Sequence, residues 1–277
     1  MNPVSRYLAA AHPLPTLAVT AFTVALAVTI DLPTATVAVI GVATLAGQLS
    51  IGWSNDLIDA ERDARAGRTD KPLADGRGHT GIKVATATAL VVCVVFSVTV
   101  GALAAACHLT VVACGWLYNA GLKATIWSWA PYAVAFGLLP TWVFAAQTGA
   151  PWAPVWMGVA AGTLGVSAHL VNAAPDIGAD RGAGIRGLPQ RLGASASVTA
   201  ALALLLVGAV VGLAGPDGEP AAWQWFGLAV VGAVGAAAAA TVWSADREGR
   251  GLPRWTFAVM LVLVALVVAL ILSAASL

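Results

Sequence analysis

Long apolar stretches, separated by shorter polar ones, recur along the whole chain. An α-helix of about 20 residues crosses the roughly 30 Å hydrocarbon core of a bilayer, and each apolar stretch approaches or reaches that length. The pattern therefore predicts an all-α, polytopic membrane bundle of nine transmembrane helices. The predicted spans are residues 14–30, 34–53, 82–101, 104–119, 130–147, 154–171, 195–214, 222–242 and 255–274.

The basic residues fall in segments that these spans place on one side of the membrane. All 14 Lys and Arg residues precede span one or follow spans two, four, six and eight, if Lys83, the second residue of span three, is counted with the loop before that span. The opposite loops carry only the acidic residues Asp31, Asp217 and Glu219. Because cytoplasmic loops are enriched in Lys and Arg, we expect nine spans in the cell (inner) membrane, with a cytoplasmic N-terminus.

Composition agrees with a membrane protein and excludes some other classes. Hydrophobic residues make up 59% and charged residues 10% of the 277-residue chain, and the mean hydropathy is +0.85, whereas soluble domains carry roughly 25% charged residues. The net charge of +1 gives no nucleic-acid footprint. The three cysteines lie in predicted spans without metal-ligand spacing, so we interpret them as buried hydrophobic residues. We expect one transmembrane domain over residues 1–277.

Two clusters of Asp and Asn side chains follow the second and sixth predicted spans. In each, side chains recur every four residues, so a helix would stack them on one face. The first cluster comprises Asn55, Asp56, Asp59 and Asp63, and the second comprises Asn172, Asp176 and Asp180. Stacked like charges repel, so a divalent cation is expected, and oxygen ligands without His or Cys suit Mg²⁺.

The polar segments that contain the two clusters are built alike. Each begins with Asn, continues with spaced Asp residues, and then becomes basic and glycine-containing. This similarity indicates a weak internal repeat, with spans one to four and five to eight as two four-helix units and span nine appended. Repeat-built membrane proteins often place their sites where the repeats meet. We therefore expect the two clusters to form one site at the cytoplasmic face.

The two clusters resemble the motifs of the UbiA superfamily of intramembrane prenyltransferases. The first matches the family's NDxxDxxxD motif at every defining position and continues from Lys71 as KPLADG, close to the family's RPLxxG. The second matches the DxxxD-type motif and its glycine-rich continuation, with Gly187 in the usual Thr position. Two departures occur: Tyr118 and Lys123 are five residues apart where the family often has Tyr-x-x-x-Lys, and His12 stands where Arg is common before Pro.

The resemblance implies an enzyme that uses Mg²⁺ to ionise an isoprenyl diphosphate and transfers the prenyl group to a small acceptor, with an aromatic compound expected first. It implies catalytic roles for the five Asp residues of the clusters. The implied ligands of one Mg²⁺ are Asn55, Asp56, Asp59 and Asp63, and those of another are Asp176 and Asp180. The implied substrate contacts are Asn55, Arg68, Lys71, Tyr118, Lys123, Asn172 and Arg186. The lipid bilayer is the third expected partner.

Other interpretations of the same residues remain open. A terpene cyclase of the superfamily would ionise the same diphosphate without an acceptor. A cation-coupled transporter is disfavoured because the acids lie at one edge of the predicted spans, whereas transport sites tend toward the midplane. For the basic candidates the simpler interpretation is ordinary positive-inside charge, and for most tryptophans it is an interfacial belt. His169, just before the second cluster, is more simply a helix-packing side chain.

Overall fold

The structure is a computed structural model that describes residues 2–65, 67, 71–182, 184–217, 219–250 and 255–275. These residues form helices and loops without a β-strand, so the all-α prediction is confirmed. The α-helices are α1 (Pro3–Ala10), α2 (Pro13–Thr29), α3 (Thr34–Arg65), α4 (His79–Val100), α5 (Ala102–Ala120), α6 (Ala130–Phe144), α7 (Val155–Ala173), α8 (Ile177–Gly182), α9 (Leu188–Leu192), α10 (Ala194–Ala214), α11 (Ala222–Arg247) and α12 (Trp255–Ala275). Short 3₁₀ turns occupy Leu122–Ala124, Ile126–Trp129 and Ala174–Asp176.

Each predicted span overlaps one of these helices, but fewer than nine qualify as spans. Among the described residues, six helices are long and apolar enough to cross a membrane, and a seventh results if α1 and α2, bent by 63°, count as one. The helix α6 has only 15 residues, about 22 Å at 1.5 Å per residue. The integral membrane fold is therefore supported, whereas the predicted count of nine spans is not confirmed.

The chain divides into two compact units. The first contains Met1–Gly121 and Leu138–Ala153, and the second contains Leu122–Gly137 and Pro154–Leu277. The division after Gly121 falls between predicted spans four and five, but the fifth span is shared between the units. The grouping of spans into two fours plus one thus stays a prediction.

In the first unit, α3 packs against α2, α4 and α5 and carries the first acidic cluster. Its 32 residues extend about 48 Å at 1.5 Å per residue, more than the roughly 30 Å of a hydrocarbon core. Gly52 lets the break between α1 and α2 approach α3 closely, since a Cβ atom there would lie 2.7 Å from the carbonyl oxygen of Ala11. The length of α3 allows its acidic end to reach beyond the apolar core.

A small hydrophobic core fixes α1 to the acidic end of α3. It contains Ala10 of α1, Ala60 of α3, Leu73 of the loop after α3, and Ile82 of α4, all buried. The indole Nε1–H of Trp53, whose ring packs against this core, donates to the carbonyl of Tyr7 at 3.0 Å. These contacts bring α1, α3, α4 and the connecting loop together at one end of the unit.

In the second unit, α10 packs along α7 and also contacts α11 and α12. Small residues permit this close approach: a Cβ atom at Gly208 would lie 2.6 Å from Oγ1 of Thr163 and 3.1 Å from the carbonyl oxygen of Ala160. The hydroxyl of Ser167 donates across the pair to the carbonyl of Ala201 at 2.7 Å. This packing holds α7, whose C-terminal end begins the second acidic cluster.

Candidate active site

The first acidic cluster lies in the last turns of α3, so its predicted helical conformation is confirmed. Asp56, Asp59 and Asp63 are buried, with exposed fractions of 2%, 5% and 2%. Their spacing of three and four residues places them on one face of the helix. Burial of carboxylates is costly unless cations or hydrogen-bond donors accompany them, and such groups surround this face.

Within the described part of the chain, Asp56 is compensated on one of its two oxygens. Its Oδ1 lies 3.5 Å from Nζ of Lys71 and 3.4 Å from Nε2 of His12. The same His12 nitrogen lies 3.4 Å from Nδ2 of Asn55. The other carboxylate oxygen, Oδ2, is buried and has no hydrogen-bond partner among the residues that the structure describes. An incompletely solvated buried oxygen of this kind fits a bound cation, because coordination would supply the missing partner.

Asp59 and Asp63 share a cation from their own helix. Nη2 of Arg62 lies 2.7 Å from Oδ2 of Asp59 and 4.0 Å from Oδ1 of Asp63. The oxygen-rich donor set of this face matches the chemistry of Mg²⁺. Within the described ranges, no three His, Cys, Asp or Glu side chains are gathered closely enough to hold a metal ion.

The second cluster departs from the predicted helical stack. The helix α7 ends at Ala173, a 3₁₀ turn covers Ala174–Asp176, and α8 starts at Ile177. Pro175 lies in this turn, where it has no N–H to continue the helical bonding and its ring clashes with a regular helix. The expectation of one continuous helix face through this cluster is therefore wrong. Asn172 and Asp176 are both solvent-exposed.

Asp180 of the second cluster is held by a side chain from α9. Nε2–H of Gln190 donates to Oδ2 of Asp180 at 2.8 Å, and Gln190 itself is 6% exposed. Arg181 in turn donates from Nε to the carbonyl of Gln190 at 2.7 Å. Sequence reasoning missed Gln190, because only folding brings the amide of α9 to the carboxylate of α8.

The start of α9 is fixed through a buried hydroxyl. The backbone N–H of Leu188 donates to Oγ of Ser128 at 3.0 Å, and the same Oγ lies 3.0 Å from Nε2 of His169. The ring of Tyr132 stacks on that imidazole at 4.6 Å. His169 is 2% exposed and packs between elements, as expected for a helix-packing side chain. The absence of a side chain at Gly187 also has a cause: a Cβ atom there would lie 2.5 Å from the carbonyl oxygen of Lys123.

The remaining predicted substrate contacts are distributed between the two units. Tyr118 lies half-buried in the last turns of α5, and Lys71 belongs to the loop after α3, both in the first unit. Lys123, half-buried in the 3₁₀ turn 122–124, and the exposed Arg186 belong to the second. Arg68 lies outside the described residues.

Sequence reasoning also missed two polar contacts inside the first unit. Nδ2 of Asn119 donates to the carbonyl of Ile51 and to the hydroxyl of Ser54, both at 2.9 Å, which fixes α5 against α3 one residue before the acidic cluster. Deeper in the unit, Nδ1 of the fully buried His108 lies 2.7 Å from Oγ of Ser97. No signal in a single sequence distinguishes these residues from other polar residues of the predicted spans.

The fold and the site together define an all-helical integral membrane protein with buried carboxylates at the end of a long helix. The chain belongs to the UbiA prenyltransferase family, whose model matches residues 14–263. The resemblance inferred from the two motifs is thereby confirmed. A search of the curated proteins found no match.

Solved structures of UbiA homologues have the same fold. The homologue from Aeropyrum pernix K1, in its apo form, matches with a TM-score of 0.72 at 17% identity, covering 93% of this chain and 97% of its own. The homologue from Archaeoglobus fulgidus, bound to GPP and Mg²⁺, matches with a TM-score of 0.71 at 16% identity, covering 98% and 100%. A digeranylgeranylglyceryl phosphate synthase matches with a TM-score of 0.70 at 14% identity, covering 99% of each chain. At these identities the structural matches establish the fold.

Proposed function

We propose that this chain is a Mg²⁺-dependent intramembrane prenyltransferase that ionises an isoprenyl diphosphate and transfers its prenyl group to a small acceptor, with an aromatic compound as the first choice. Membership of the family supports the reaction class. The UbiA homologue from A. fulgidus was solved with GPP and with DMAPP, each together with Mg²⁺. The observation that carries the proposal is the buried Oδ2 of Asp56, which has no hydrogen-bond partner among the described residues and lies beside Lys71 on the acidic face of α3.

Each of the two acidic clusters is proposed to bind Mg²⁺. On α3, the side chains of Asn55, Asp56, Asp59 and Asp63 would hold one Mg²⁺. In the second unit, Asp176 and Asp180 would hold another, with Asn172 assisting. When bound, Mg²⁺ neutralises the diphosphate and makes it a better leaving group.

The basic and phenolic side chains are proposed to bind the diphosphate around the metal ions. Lys71 already lies beside Asp56, so its ammonium can compensate diphosphate charge without a large displacement. Lys123, Arg186 and Arg68 are proposed as further cationic contacts and Tyr118 as a hydroxyl donor. Fixed cations and donors of this kind stabilise charge that develops on a leaving group.

The proposed location is the cell (inner) membrane, with the N-terminus and both acidic clusters on the cytoplasmic side. Arg6 of α1 forms an ion pair with Asp75 of the loop after α3. The N-terminal helix and this loop therefore lie at the same end of the first unit, as the distribution of basic residues requires. This contact supports the proposed orientation.

The deciding experiment incubates the purified protein with Mg²⁺ and isoprenyl diphosphates of several lengths, with and without candidate aromatic acceptors. Diphosphate release that depends on an acceptor, with a prenylated product, is the expected result. Cyclic hydrocarbon or alcohol formed without any acceptor would replace this proposal by a terpene cyclase. No release under any condition, together with ion flux in liposomes, would indicate a transporter.

The metal assignment is tested by Asp56→Ala and Asp176→Ala. Both variants are expected to lose diphosphate release while keeping the wild-type helical circular dichroism, because each removes a proposed metal ligand. Glu61→Gln is the matched control: Glu61 lies on the same end of α3 as Asp56, but its side chain is 93% exposed. Retained turnover in either Asp variant would rule out the corresponding metal ligand.

A further inference from the structure

Arg6 is a buried cation that joins α1 to the loop between α3 and α4. Its side chain is 7% exposed, and its two Nη atoms donate to both carboxylate oxygens of Asp75, at 2.5 and 2.7 Å. Nη1 also donates to the backbone carbonyl of Pro72 and, at 2.9 Å, to that of Arg77. A planar guanidinium suits such two-pronged binding of a carboxylate. Arg6 therefore restrains both ends of residues 72–77.

Two further residues of the described part of the loop fit against α1. Gly78, which follows the restrained segment, has a positive φ of 81°, and a Cβ atom there would lie 2.7 Å from Cδ of Arg6. Glycine satisfies both the left-handed backbone and the close approach. Leu73 is 2% exposed and packs in the small core with Ala10 of α1. The loop thus follows α1 through polar and apolar contacts alike.

Lys71 stands immediately before the restrained segment. Its Nζ lies 3.5 Å from Oδ1 of Asp56, the carboxylate whose other oxygen has no partner in the described ranges. Pro72 has a fixed φ, which limits the backbone freedom between Lys71 and the first carbonyl that Arg6 holds. A flexible four-carbon side chain reaches a defined position only when its backbone is well placed. The position of the Lys71 ammonium therefore depends on the contacts of Arg6.

We propose that Arg6 is a positioning residue for diphosphate binding: by fixing residues 72–77, it holds the ammonium of Lys71 beside Asp56. The inference rests on the proposed function, because it assigns Arg6 to the binding of the same diphosphate. Arg6 acts through Lys71, since its own guanidinium is directed at the loop. Arg6 is thus more than one of the basic residues that set membrane orientation, which is all that the sequence indicated.

The test is a double-mutant cycle on the purified full-length protein. The apparent dissociation constant of inorganic pyrophosphate in the presence of Mg²⁺ is measured for the wild type, Arg6→Gln, Lys71→Ala and the double variant. In parallel, KM and kcat are measured with geranyl diphosphate. We expect each single variant to weaken pyrophosphate binding and raise KM by about tenfold, with kcat changed by less than about twofold. The double variant should match Lys71→Ala, because Arg6 acts only through Lys71.

Conservative and control variants separate positioning from general stability. Arg6→Lys keeps the positive charge but lacks the planar guanidinium that donates two hydrogen bonds to one carboxylate. This variant should therefore recover only part of the pyrophosphate affinity that is lost in Arg6→Gln. The control variant Arg65→Gln removes a cation near the same end of α3. Because the side chain of Arg65 is 79% exposed, this variant should bind pyrophosphate like the wild type. If Arg6→Gln does not fold, Asp75→Asn replaces it in the double-mutant cycle, because this variant removes the carboxylate that Arg6 binds.

The outcomes distinguish the positioning role of Arg6 from the proposed function. Effects of Arg6→Gln and Lys71→Ala that multiply in the double variant would overturn the positioning role alone, as would unchanged pyrophosphate binding in folded Arg6→Gln. A wild-type protein that neither binds Mg²⁺-pyrophosphate nor turns over any isoprenyl diphosphate would overturn the proposed function and, with it, this inference. Hydrogen exchange of the loop amides adds a readout without substrate: exchange at residues 72–77 should accelerate in Arg6→Gln and not in Arg65→Gln.

Discussion

Asp56→Asn should stabilise the metal-free protein while removing its response to Mg²⁺. In the wild type the Asp56 carboxylate is 2% exposed, and one of its oxygens has no partner among the residues described. The same helix face also buries Asp59 and Asp63. A neutral amide of nearly the same shape is cheaper to bury than a charge, so the loss of the contact with Lys71 should be more than offset. We expect a gain of about 1 kcal/mol, which is a rise in melting temperature of about 2–4 °C for a chain of this size.

The effect of Asp56→Asn on stabilisation by Mg²⁺ is larger than this gain, and it is a loss of stability. A ligand present at 100 times its dissociation constant stabilises the folded state by about 2.7 kcal/mol. If Asp56→Asn weakens binding about fiftyfold, within the range of losses seen at metal sites, the same Mg²⁺ concentration stabilises the variant by only about 0.6 kcal/mol. Most of the Mg²⁺-dependent shift should therefore disappear in the variant.

The assay is thermal unfolding in detergent, followed by tryptophan fluorescence, with EDTA or with excess Mg²⁺. Glu61→Gln serves as the control, because its exposed side chain should change neither the metal-free melting temperature nor the shift. A metal-free Asp56→Asn variant that melts below the wild type would refute the reasoning that burial of the charged Asp56 carboxylate destabilises the metal-free protein. An undiminished Mg²⁺ shift in the variant would refute its role as a ligand.

Three further predictions follow from contacts away from that carboxylate. Gln190→Leu removes the donor to Asp180, so the Mg²⁺ affinity from direct titration should fall about tenfold or more, and unchanged affinity would show that Asp180 needs no such support. Ser97→Ala leaves Nδ1 of buried His108 with only the longer contact, 3.9 Å, to Sγ of Cys93 and should lower the stability by about 1–3 kcal/mol in thermal unfolding; an unchanged midpoint would contradict this. The hydrogen bond from Arg6, together with one from the backbone N–H of Arg77, lowers the pKa of the Asp75 carboxyl well below its ordinary value of 3.8. Its stabilisation is thus present above that ordinary value and lost as the pH falls toward the lowered pKa, so the melting temperatures of the wild type and Asp75→Asn should differ near neutral pH and converge in acid.

The contrast between the two acidic clusters shows where prediction from sequence succeeded and where it stopped. In the first cluster, the four-residue spacing continues the pattern of a preceding apolar helix, and α3 extends without interruption to Arg65. In the second, the same spacing contains Pro175, and the chain forms a 3₁₀ turn before α8. Equal spacing of acids therefore predicted the backbone conformation of the first cluster but not that of the second.

The supporting residues of the candidate site were beyond the reach of the sequence. Arg6 and Asp75 are separated by 69 positions, and their pairing depends on the docking of α1 on α3. Gln190 is an ordinary polar residue until α8 and α9 fold against each other. Long-range contacts of this kind depend on how helices pack, and one sequence contains no local pattern that specifies the pair.

The sequence by itself determined that the protein is helical, lies in a membrane, carries two acidic clusters and belongs to its family. It could do so because hydropathy and residue spacing are local properties, and because oxygen-rich motifs limit the possible chemistry. Only the tertiary structure decided which carboxylates are buried, which oxygen of Asp56 has no partner among the described residues, and which distant residue holds the loop of Lys71 in place. Burial and hydrogen-bond satisfaction depend on neighbours that are far apart along the chain, so they are set only when the helices pack.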